Sequence, residues 1–469
     1  MDNYSVDIHQ VYKALLASGL DRESVESWKR AEPFYTSDYE ADVKQASAFF
    51  KLTQHLLEKL PEKPSRNPEQ ISAAKLLLGS GRAARETFLE KHVVELYSRI
   101  THDYSRSVVV YDLPYEAEKL VPGLTPTRDI IAQEATKMTK HKEGHEFDQG
   151  IFFAHVLAHE KSGLHLCHTM LLPGVESEDK LKYLKKHGNI DLGTVSVETR
   201  EDLSWVTMKN DKFLNAEDNT TLDPMDEAID LAIMDPNTQM AVLRGDRVSD
   251  PKYNNRRVFC SGINLSDLYH GKIPYLWYMK RDLGFLHKIF RGLSVPGKPA
   301  DDVLGMTREK LWISQVDSFA IGSGCQFLLP TDYIVAGHDA YLTLPACKEG
   351  IVPGVAELRL HRFVGDRMAR QLIFLARRLD CATPEGQMIC DEVVDPAYIE
   401  KHVIEAYKRI TSSGMVAVYA NRRAFRVSLE PLNLFREYMS VYAREQAQCL
   451  FSQELIDNLE MQKIATKSK

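Results

Sequence analysis

Two glycine turns in the second half of the chain have the residue types that could stabilise a negative charge. One lies in Ser318-Phe-Ala-Ile-Gly-Ser-Gly-Cys-Gln326 and the other in Val258-Phe-Cys-Ser-Gly-Ile-Asn-Leu265. Each leads from a short apolar run through small residues into a stretch with helical character, which leaves backbone N–H groups without intrahelical partners. The N–H groups of Ile263 and Ser323 could therefore converge on one carbonyl oxygen and stabilise an enolate. The residues alone are equally compatible with two simple strand-to-helix connections.

Three other motifs are weaker candidates for chemistry. Ser323 stands between two glycines, but the Gly-x-Ser-x-Gly motif that exposes the nucleophile of a serine hydrolase is absent. Six histidines lie between His141 and His168, yet no neighbouring carboxylate completes a zinc motif, so we interpret them as packing or solvent-facing residues. The Gly79-Ser-Gly-Arg82 segment lacks the lysine and the preceding strand of a phosphate loop. We interpret that segment as a break within a helix.

Composition narrows the classes of partner. The 469 residues contain 44% hydrophobic and 27% charged residues, as expected for a globular protein of two or three domains. The net charge of -7 gives no strong positive field for nucleic acid or an anionic membrane, so an anionic ligand needs a local site. The seven cysteines form no Cys-x-x-Cys pair, residues 1–19 lack a basic leader, and no long apolar run is present. We expect a soluble protein of the reducing cytoplasm.

The order of elements predicts an α/β core flanked by helices. Apolar residues at three- and four-residue steps over 43–60 are typical of the helices that we expect throughout residues 1–190. From residue 191 to 395, β-branched runs alternate with helical stretches, which favours an α/β layer fold. Predicted strands there include 240–243, 258–260, 312–316 and 333–336. Residues 396–469 are predicted to be helical, for packing and subunit contacts.

Four motifs in the core carry a family resemblance. They are Phe259-Cys-Ser-Gly-Ile-Asn-Leu265, Asp317-Ser-Phe-Ala-Ile-Gly-Ser-Gly-Cys-Gln326, Tyr333-Ile-Val-Ala-Gly337 and Gly350-Ile-Val-Pro-Gly354. In order and spacing they resemble the crotonase, or enoyl-CoA hydratase/isomerase, superfamily. The resemblance implies a ββα spiral core, an acyl-CoA substrate, and an oxyanion hole formed by the backbone N–H groups of Ile263 and Ser323.

Two positions depart from the hydratase pattern. Hydratases of this superfamily use two glutamates to handle water and protons, and the matching positions here are Gln326 and Ala346. An amide and a methyl group cannot act as acid and base near neutral pH. Addition of water to a double bond is therefore disfavoured.

Further motifs resemble a cofactor-independent dioxygenase branch of the superfamily, and they include part of the helical N-terminal half that ordinary crotonases lack. They are Asp148-Gln-Gly-Ile-Phe-Phe153, Phe213-Leu-Asn-Ala-Glu-Asp218, Val242-Leu-Arg-Gly245, Arg256-Arg-Val-Phe259, Leu344-Pro-Ala346, Glu349-Gly-Ile-Val-Pro-Gly354 and Ala420-Asn-Arg-Arg423. The resemblance implies conversion of 3,5-dihydroxyphenylacetyl-CoA and O2 to 3,5-dihydroxyphenylglyoxylate and CoA, on the route to dihydroxyphenylglycine, with no metal or organic cofactor. It also implies a hexamer built from trimers. The alternatives are a crotonase-type thioesterase or isomerase, and a non-catalytic CoA-binding scaffold.

Individual roles follow from the same resemblance. Polar contacts to the two ring hydroxyls are implied for Glu217, Arg281 and Gln326, which could instead form a purely structural network. A dry pocket for dioxygen is implied for Ile263, Leu265, Ala346 and Ile351, and contacts to CoA for Asp211, Lys212, Lys252, Tyr253, Ser261 and Asn264. Ser323 replaces a glycine of the family, and Asp250 replaces a histidine. Because only the N–H of Ser323 is needed, we expect the oxyanion hole to survive.

Overall fold

The computed structural model describes residues 7–253 and 255–467. The prediction that residues 1–19 lack a basic leader rests partly on residues 1–6, which lie outside this range. The chain divides into two compact units, each described here by itself. One unit comprises the residues up to Leu166 together with His270–Leu276 and Met439–Phe451, and the other comprises Cys167–Tyr269, Trp277–Tyr438 and the residues from Ser452 onward.

The first unit is built from helices. Its longest helices are well capped: Asp38 accepts a hydrogen bond from the Ala41 N–H at 3.0 Å, and Asn67 forms a reciprocal capping box with Gln70. Large aromatic side chains such as Trp28 and Phe88 form its core. The helices that begin here are α1 (Ile8–Ala17), α2 (Arg22–Arg30), α3 (Tyr39–Lys59), α4 (Pro68–Ile100), α5 (Leu113–Leu120), α6 (Arg128–Ala135), α7 (Glu146–Ala158) and α8 (Glu160–Met170).

The predicted break at Gly79-Ser-Gly81 is wrong, because α4 runs through it without interruption. The glycine instead permits close packing: a Cβ atom on Gly81 would lie 3.4 Å from the methyl group of Thr53 on α3 and 2.9 Å from the Arg85 guanidinium. The hydrogen bonds of a long helix and its packing outweigh the roughly 1 kcal/mol that a glycine costs.

The second unit contains a mixed β-sheet of seven strands in the order β1-β2-β3-β4-β7-β9-β12. Its first three strands pair antiparallel, and the pairs from β3 to β12 are parallel. Side chains of β3, β4 and β7 are buried on both faces, as expected for parallel strands covered by helices. The strands are β1 (Asn189–Asp191), β2 (Val195–Arg200), β3 (Leu203–Met208), β4 (Met240–Gly245), β5 (Leu293–Ser294), β6 (Thr307–Arg308), β7 (Leu311–Val316), β8 (Phe319–Ile321), β9 (Tyr333–Gly337), β10 (Tyr341–Thr343), β11 (Leu379–Asp380) and β12 (Glu392–Val394).

Helices alternate with these strands and then continue to the end of the described chain. One core cluster packs Trp205, Val242, Ile313 and Val335 of the sheet against Val403 of α18. The remaining helices are α9 (Ser177–His187), α10 (Asn219–Met234), α11 (Leu265–Tyr269), α12 (Tyr275–Leu283), α13 (Phe285–Arg291), α14 (Ser323–Leu328), α15 (Ala346–Glu349), α16 (Ala356–Arg359), α17 (His361–Leu375), α18 (Ile399–Thr411), α19 (Met415–Leu429), α20 (Leu432–Leu450) and α21 (Gln453–Lys467). None of the helices described is both long and apolar enough to span a bilayer.

The predicted strand over 258–260 is wrong. The segment forms only isolated bridges, from Arg257 to Arg247 and from Cys260 to Ala320. The Val258 carbonyl accepts from the Asn215 side-chain amide at 2.7 Å instead of from a neighbouring strand. The segment also approaches the end of β4 so closely that a Cβ atom on Gly245 would overlap the Val258 carbonyl oxygen.

We predict that Gly245→Ala costs about 2–4 kcal/mol of unfolding free energy, because a backbone atom cannot move aside for the added methyl group. Urea denaturation of the purified variant measures this cost. Gly174→Ala is the matched control, since its Cβ atom would meet only the Ser177 hydroxyl at 3.2 Å and the Asp230 carboxylate at 3.6 Å. Equal losses in the two variants would contradict the close approach at Gly245.

Candidate active site

The two glycine turns lie side by side in the second unit. The Ile321 N–H donates to the Cys260 carbonyl at 3.0 Å. A Cβ atom on Gly262 would lie 3.1 Å from the Ile321 carbonyl oxygen, and one on Gly324 would lie 2.6 Å from that of Cys260. Glycine at both positions therefore permits the approach, and at Gly262 it also permits a φ of +97°.

This approach brings together the two predicted oxyanion donors. Gly262 immediately precedes Ile263, Gly322 immediately precedes Ser323, and a Cβ atom on Gly322 would lie only 3.7 Å from Cα of Gly262. Ile263 and Glu217 form an isolated parallel β-bridge. In this bridge the Glu217 N–H donates to the Gly262 carbonyl and the Asn264 N–H donates to the Glu217 carbonyl, both at 2.8 Å. The Ile263 N–H consequently points away from Glu217, since successive amides of an extended segment alternate in direction.

The Ser323 N–H belongs to the first residue of α14, where no intrahelical acceptor exists. Within the described ranges, neither this amide nor that of Ile263 donates a hydrogen bond to the protein. Two adjacent backbone donors with no intramolecular acceptor form an arrangement that can stabilise an oxyanion.

The three side chains predicted to read the ring hydroxyls form one buried cluster. Glu217, Arg281 and Gln326 are only 3%, 2% and 7% exposed. The Arg281 Nε donates to both carboxylate oxygens of Glu217 at 3.0 Å, and its Nη1 donates to the Gln326 Oε1 at 2.6 Å. Arg281 Nη2 also donates to the Ser323 carbonyl at 3.2 Å, which joins the cluster to the second turn.

Asp282 belongs to the same cluster and was missed from the sequence. Its Oδ1 accepts from Arg281 Nη1 at 2.8 Å, and the residue is 1% exposed. In the sequence, nothing distinguishes this aspartate from any other acidic residue near the end of a helix. The residue that could have revealed it is a glycine far along the sequence. Gly354 has no room for a side chain, because a Cβ atom there would overlap the Asp282 carboxylate.

The residues predicted to line an oxygen pocket are mostly buried. Ile263, Ala346 and Ile351 are buried, whereas Leu265 is half-buried. The Ile351 N–H donates to the Ala346 carbonyl at 3.0 Å, so these two residues share one turn. Helix α21 packs against both α11, which begins at Leu265, and α15, which begins at Ala346.

Two segments predicted to contact CoA meet at the surface. The Asp211 carboxylate accepts from both the N–H and the hydroxyl of Ser249 at 2.6 Å, which places 211–212 beside the turn that contains Lys252 and Tyr253. Both lysines of these segments, Lys212 and Lys252, are exposed.

The other two residues assigned to CoA hold the first turn in place. The Ser261 hydroxyl donates to the Phe213 carbonyl at 2.8 Å, and the Asn264 amide donates to the Asp218 carboxylate at 3.3 Å.

Histidines of the 141–168 segment bond to protein side chains in the first unit. His155 lies 2.6 Å from the Glu86 carboxylate, and His165 lies 2.8 Å from the Tyr97 hydroxyl. Over residues 7–253 and 255–467 no group of three or more metal-binding side chains occurs.

Comparison with known proteins assigns the family. The sequence profile of the enoyl-CoA hydratase/isomerase family matches residues 302–453. The (3,5-dihydroxyphenyl)acetyl-CoA 1,2-dioxygenase of Amycolatopsis orientalis is 39% identical over 402 residues, which cover 86% of this chain and 91% of that protein. The chain belongs to this dioxygenase family within the enoyl-CoA hydratase/isomerase superfamily. The predicted superfamily, fold class and dioxygenase class of enzyme are thereby confirmed.

The extent of the match separates this dioxygenase family from ordinary hydratases. Residues 191–469 number 279, so a match of 402 residues must extend into the N-terminal helices. The short-chain-enoyl-CoA hydratase of Clostridium acetobutylicum is 27% identical over 243 residues, or 51% of this chain and 84% of that protein. A solved enoyl-CoA hydratase from Bacillus halodurans is 17% identical with a TM-score of 0.47, covering 57% of this chain and all of that one.

One acid of the dioxygenase-family motif Glu349-Gly-Ile-Val-Pro-Gly354 has an altered acidity. Burial raises the pKa of the Glu349 carboxyl group to about 7. The unfolded chain ionises this group near pH 4.5, whereas the folded protein keeps it protonated until about pH 7. Ionisation therefore favours unfolding progressively as the pH rises from about 4.5 to 7, and the stability present at lower pH is lost over that window.

We predict that Glu349→Gln, which stays neutral, matches the wild-type stability below pH 4.5 and exceeds it by roughly 2 kcal/mol at pH 8. Urea denaturation at pH 4.5, 6 and 8 measures the difference. Glu454→Gln, at an exposed position of α21, is the control and should show no such trend. A difference between wild type and Glu349→Gln that does not change with pH would contradict the prediction.

Proposed function

We propose that the chain catalyses the cofactor- and metal-independent reaction of 3,5-dihydroxyphenylacetyl-CoA with O2 to give 3,5-dihydroxyphenylglyoxylate and free CoA. The observation that carries this proposal is the pair of adjacent turns with the available amides of Ile263 and Ser323, joined by Arg281 to a buried polar cluster. The substrate class is taken from the name of the Amycolatopsis orientalis relative.

The two amides supply the first chemical step. When the thioester carbonyl oxygen accepts hydrogen bonds from Ile263 and Ser323, charge that develops on that oxygen is stabilised, and the adjacent C–H becomes more acidic. Loss of one α proton gives an enolate. Each amide donor removed from such a site typically lowers the rate by about 100- to 1,000-fold.

The enolate itself supplies the electrons that reduce oxygen. One-electron transfer to O2 followed by radical recombination forms a C–O bond at the α carbon and gives a peroxide. The terminal peroxide oxygen attacks the thioester carbonyl and expels the CoA thiolate. Cleavage of the O–O bond with loss of the second α hydrogen as a proton leaves the arylglyoxylate, so both oxygen atoms enter the product and no external reductant is consumed.

Two residues protect the enolate from protonation. Gln326 and Ala346 stand where hydratases carry glutamates, and neither can donate a proton near neutral pH. Ile263, Leu265, Ala346 and Ile351 would form the apolar surface beside which O2 reacts, and exclusion of water there slows the competing proton transfer.

The CoA arm and the assembly complete the proposal. Lys212 and Lys252, on segments joined through Asp211 and Ser249, would attract the CoA phosphates, while Tyr253, Ser261 and Asn264 complete the contacts. All seven cysteines lie in the described ranges and none of them is in a disulfide there, which supports a reducing compartment such as the cytoplasm. We also propose a hexamer built from trimers, from the family resemblance.

We predict that the purified protein consumes one O2 for each CoA released from 3,5-dihydroxyphenylacetyl-CoA, and that EDTA leaves the rate unchanged. An oxygen electrode and a thiol reagent measure the two quantities together. Release of CoA without oxygen uptake would instead indicate a thioesterase, and binding without either signal a CoA-binding scaffold. Loss of activity in EDTA would overturn the metal-independent reaction.

We predict that Ala346→Glu lowers oxygen uptake at least tenfold, because the added carboxyl group fills oxygen space and returns a proton to the enolate. Exchange of the α hydrogen in D2O should continue in this variant, since the oxyanion donors remain. Ala346→Gln is the control for volume: it fills the same space without an acidic proton. Wild-type oxygen uptake by Ala346→Glu would mean that this position does not border the reacting enolate.

A further inference from the structure

Protein groups on two edges hold the guanidinium of Arg281. Its Nε faces both carboxylate oxygens of Glu217, its Nη1 faces Asp282 and Gln326, and its Nη2 faces Glu217 at 2.9 Å and the Ser323 carbonyl at 3.2 Å. A guanidinium carries five N–H donors. Five of these contacts are hydrogen bonds that occupy four of the N–H groups, and the contact of Nη2 with Glu217 is an ion pair.

A carboxylate and an amide beside the guanidinium can also contact a ring. The Oε1 of Gln326 is committed to Arg281 at 2.6 Å, which leaves its NH2 group as the donor end. No hydrogen bond from that NH2 group to the described protein occurs. Glu217 contributes acceptor oxygens only, and it has more lone pairs than Arg281 occupies.

Asp282 holds the opposite edge of the same guanidinium. Its Oδ1 lies 2.8 Å from Nη1, the nitrogen that also orients Gln326. The Asp282 carboxylate occupies the space that a side chain at position 354 would need, so glycine at 354 leaves room for it. Two carboxylates and one guanidinium leave the three contacting side chains with a net charge of -1.

We propose that Asp282, for which Gly354 leaves room, is a positioning residue for ring recognition. Together with Glu217 it fixes Arg281 from two edges, so that Arg281 aims the Gln326 amide and the Glu217 carboxylate at the substrate. The inference rests on the proposed function and sharpens its substrate class. A cluster with net negative charge disfavours a phenolate, so the ring binds as a neutral diphenol that donates to Glu217 and accepts from Gln326.

Anaerobic binding tests this inference without turnover. The ligands are the CoA thioesters of 3,5-dihydroxyphenylacetate, 3,5-dimethoxyphenylacetate and phenylacetate, titrated calorimetrically into wild type, Asp282→Ala, Asp282→Asn and Gly354→Ala. Wild type should prefer the dihydroxylated ligand over both others by about 10- to 100-fold, as hydrogen bonds to charged groups allow. The dimethoxy ligand can accept but not donate, so it reports the contact to Glu217.

The variants should lose preference and keep affinity for CoA. Asp282→Ala and Gly354→Ala should reduce the preference to less than about threefold, with phenylacetyl-CoA affinity within about threefold of wild type. Asp282→Asn, which keeps an acceptor oxygen, should retain part of the preference for the dihydroxylated ligand. Asp226→Ala is the matched control: it also removes one of two carboxylates from a buried cation, Lys288, which Asp226 and Asp230 contact at 3.0 and 2.7 Å. It should leave the preference unchanged.

The outcomes separate the two proposals. Wild-type preference in Asp282→Ala or in folded Gly354→Ala would overturn the role of Asp282 while leaving the proposed function intact. Failure of the wild type to bind any of the three thioesters would overturn the proposed function itself. If Asp282→Ala does not fold, Gly354→Ala and Asp282→Asn decide the question, since neither leaves a cavity in place of the carboxylate.

Discussion

The buried ion pair between Glu217 and Arg281 is the interaction on which the site depends. Removing two charges from water costs several kcal/mol for each ion, and their attraction compensates only when further hydrogen bonds satisfy them. Here the backbone of Glu217 bonds to the first turn on both sides of Ile263, and Arg281 bonds to the carbonyl of Ser323 in the second turn. The same pair therefore organises the ring cluster and connects both oxyanion donors. Losing either side chain would leave a buried charge, and losing Arg281 would also remove the hydrogen bond to the second turn.

Backbone contacts set the precision of this arrangement. At Gly262 and Gly324 the two turns approach so closely that a methyl group would meet a carbonyl oxygen, and at Gly354 it would meet a carboxylate. Interiors pack as densely as organic crystals, so an added methyl group would have to displace the atoms that it meets. The glycines act here through the absence of Cβ, and only Gly262 among them also has a positive φ. Donor positions fixed by backbone need no side-chain reorganisation during reaction.

Sequence reasoning succeeded where the signal is local and failed where it depends on distant contacts. The periodicity over 43–60 predicted α3, and β-branched runs predicted β4, β7 and β9, because burial imposes those patterns directly. The apolar 258–260 segment has strand-like residues but pairs with no full strand, since Asn215 and Gly245 decide its course. The glycines at 79 and 81 suggested a break, yet helix packing determined their role. The family resemblance implied Glu217, Arg281 and Gln326, while Asp282 became visible only through its proximity to a glycine 72 positions later in the chain.

The proposed chemistry places a peroxide close to two thiols, and the structure explains how they would survive it. Burial raises the pKa of the Cys260 thiol to about 12, with a further contribution from Glu217, and burial also raises the pKa of Cys325. Oxidation requires the thiolate, so thiols held protonated react slowly with peroxides. At Cys260 the Glu217 carboxylate raises the thiol pKa further, while its partner Arg281 lowers it, so burial is the main cause. Protection of the two thiols would then depend mainly on burial, the same property that keeps water away from the reacting enolate.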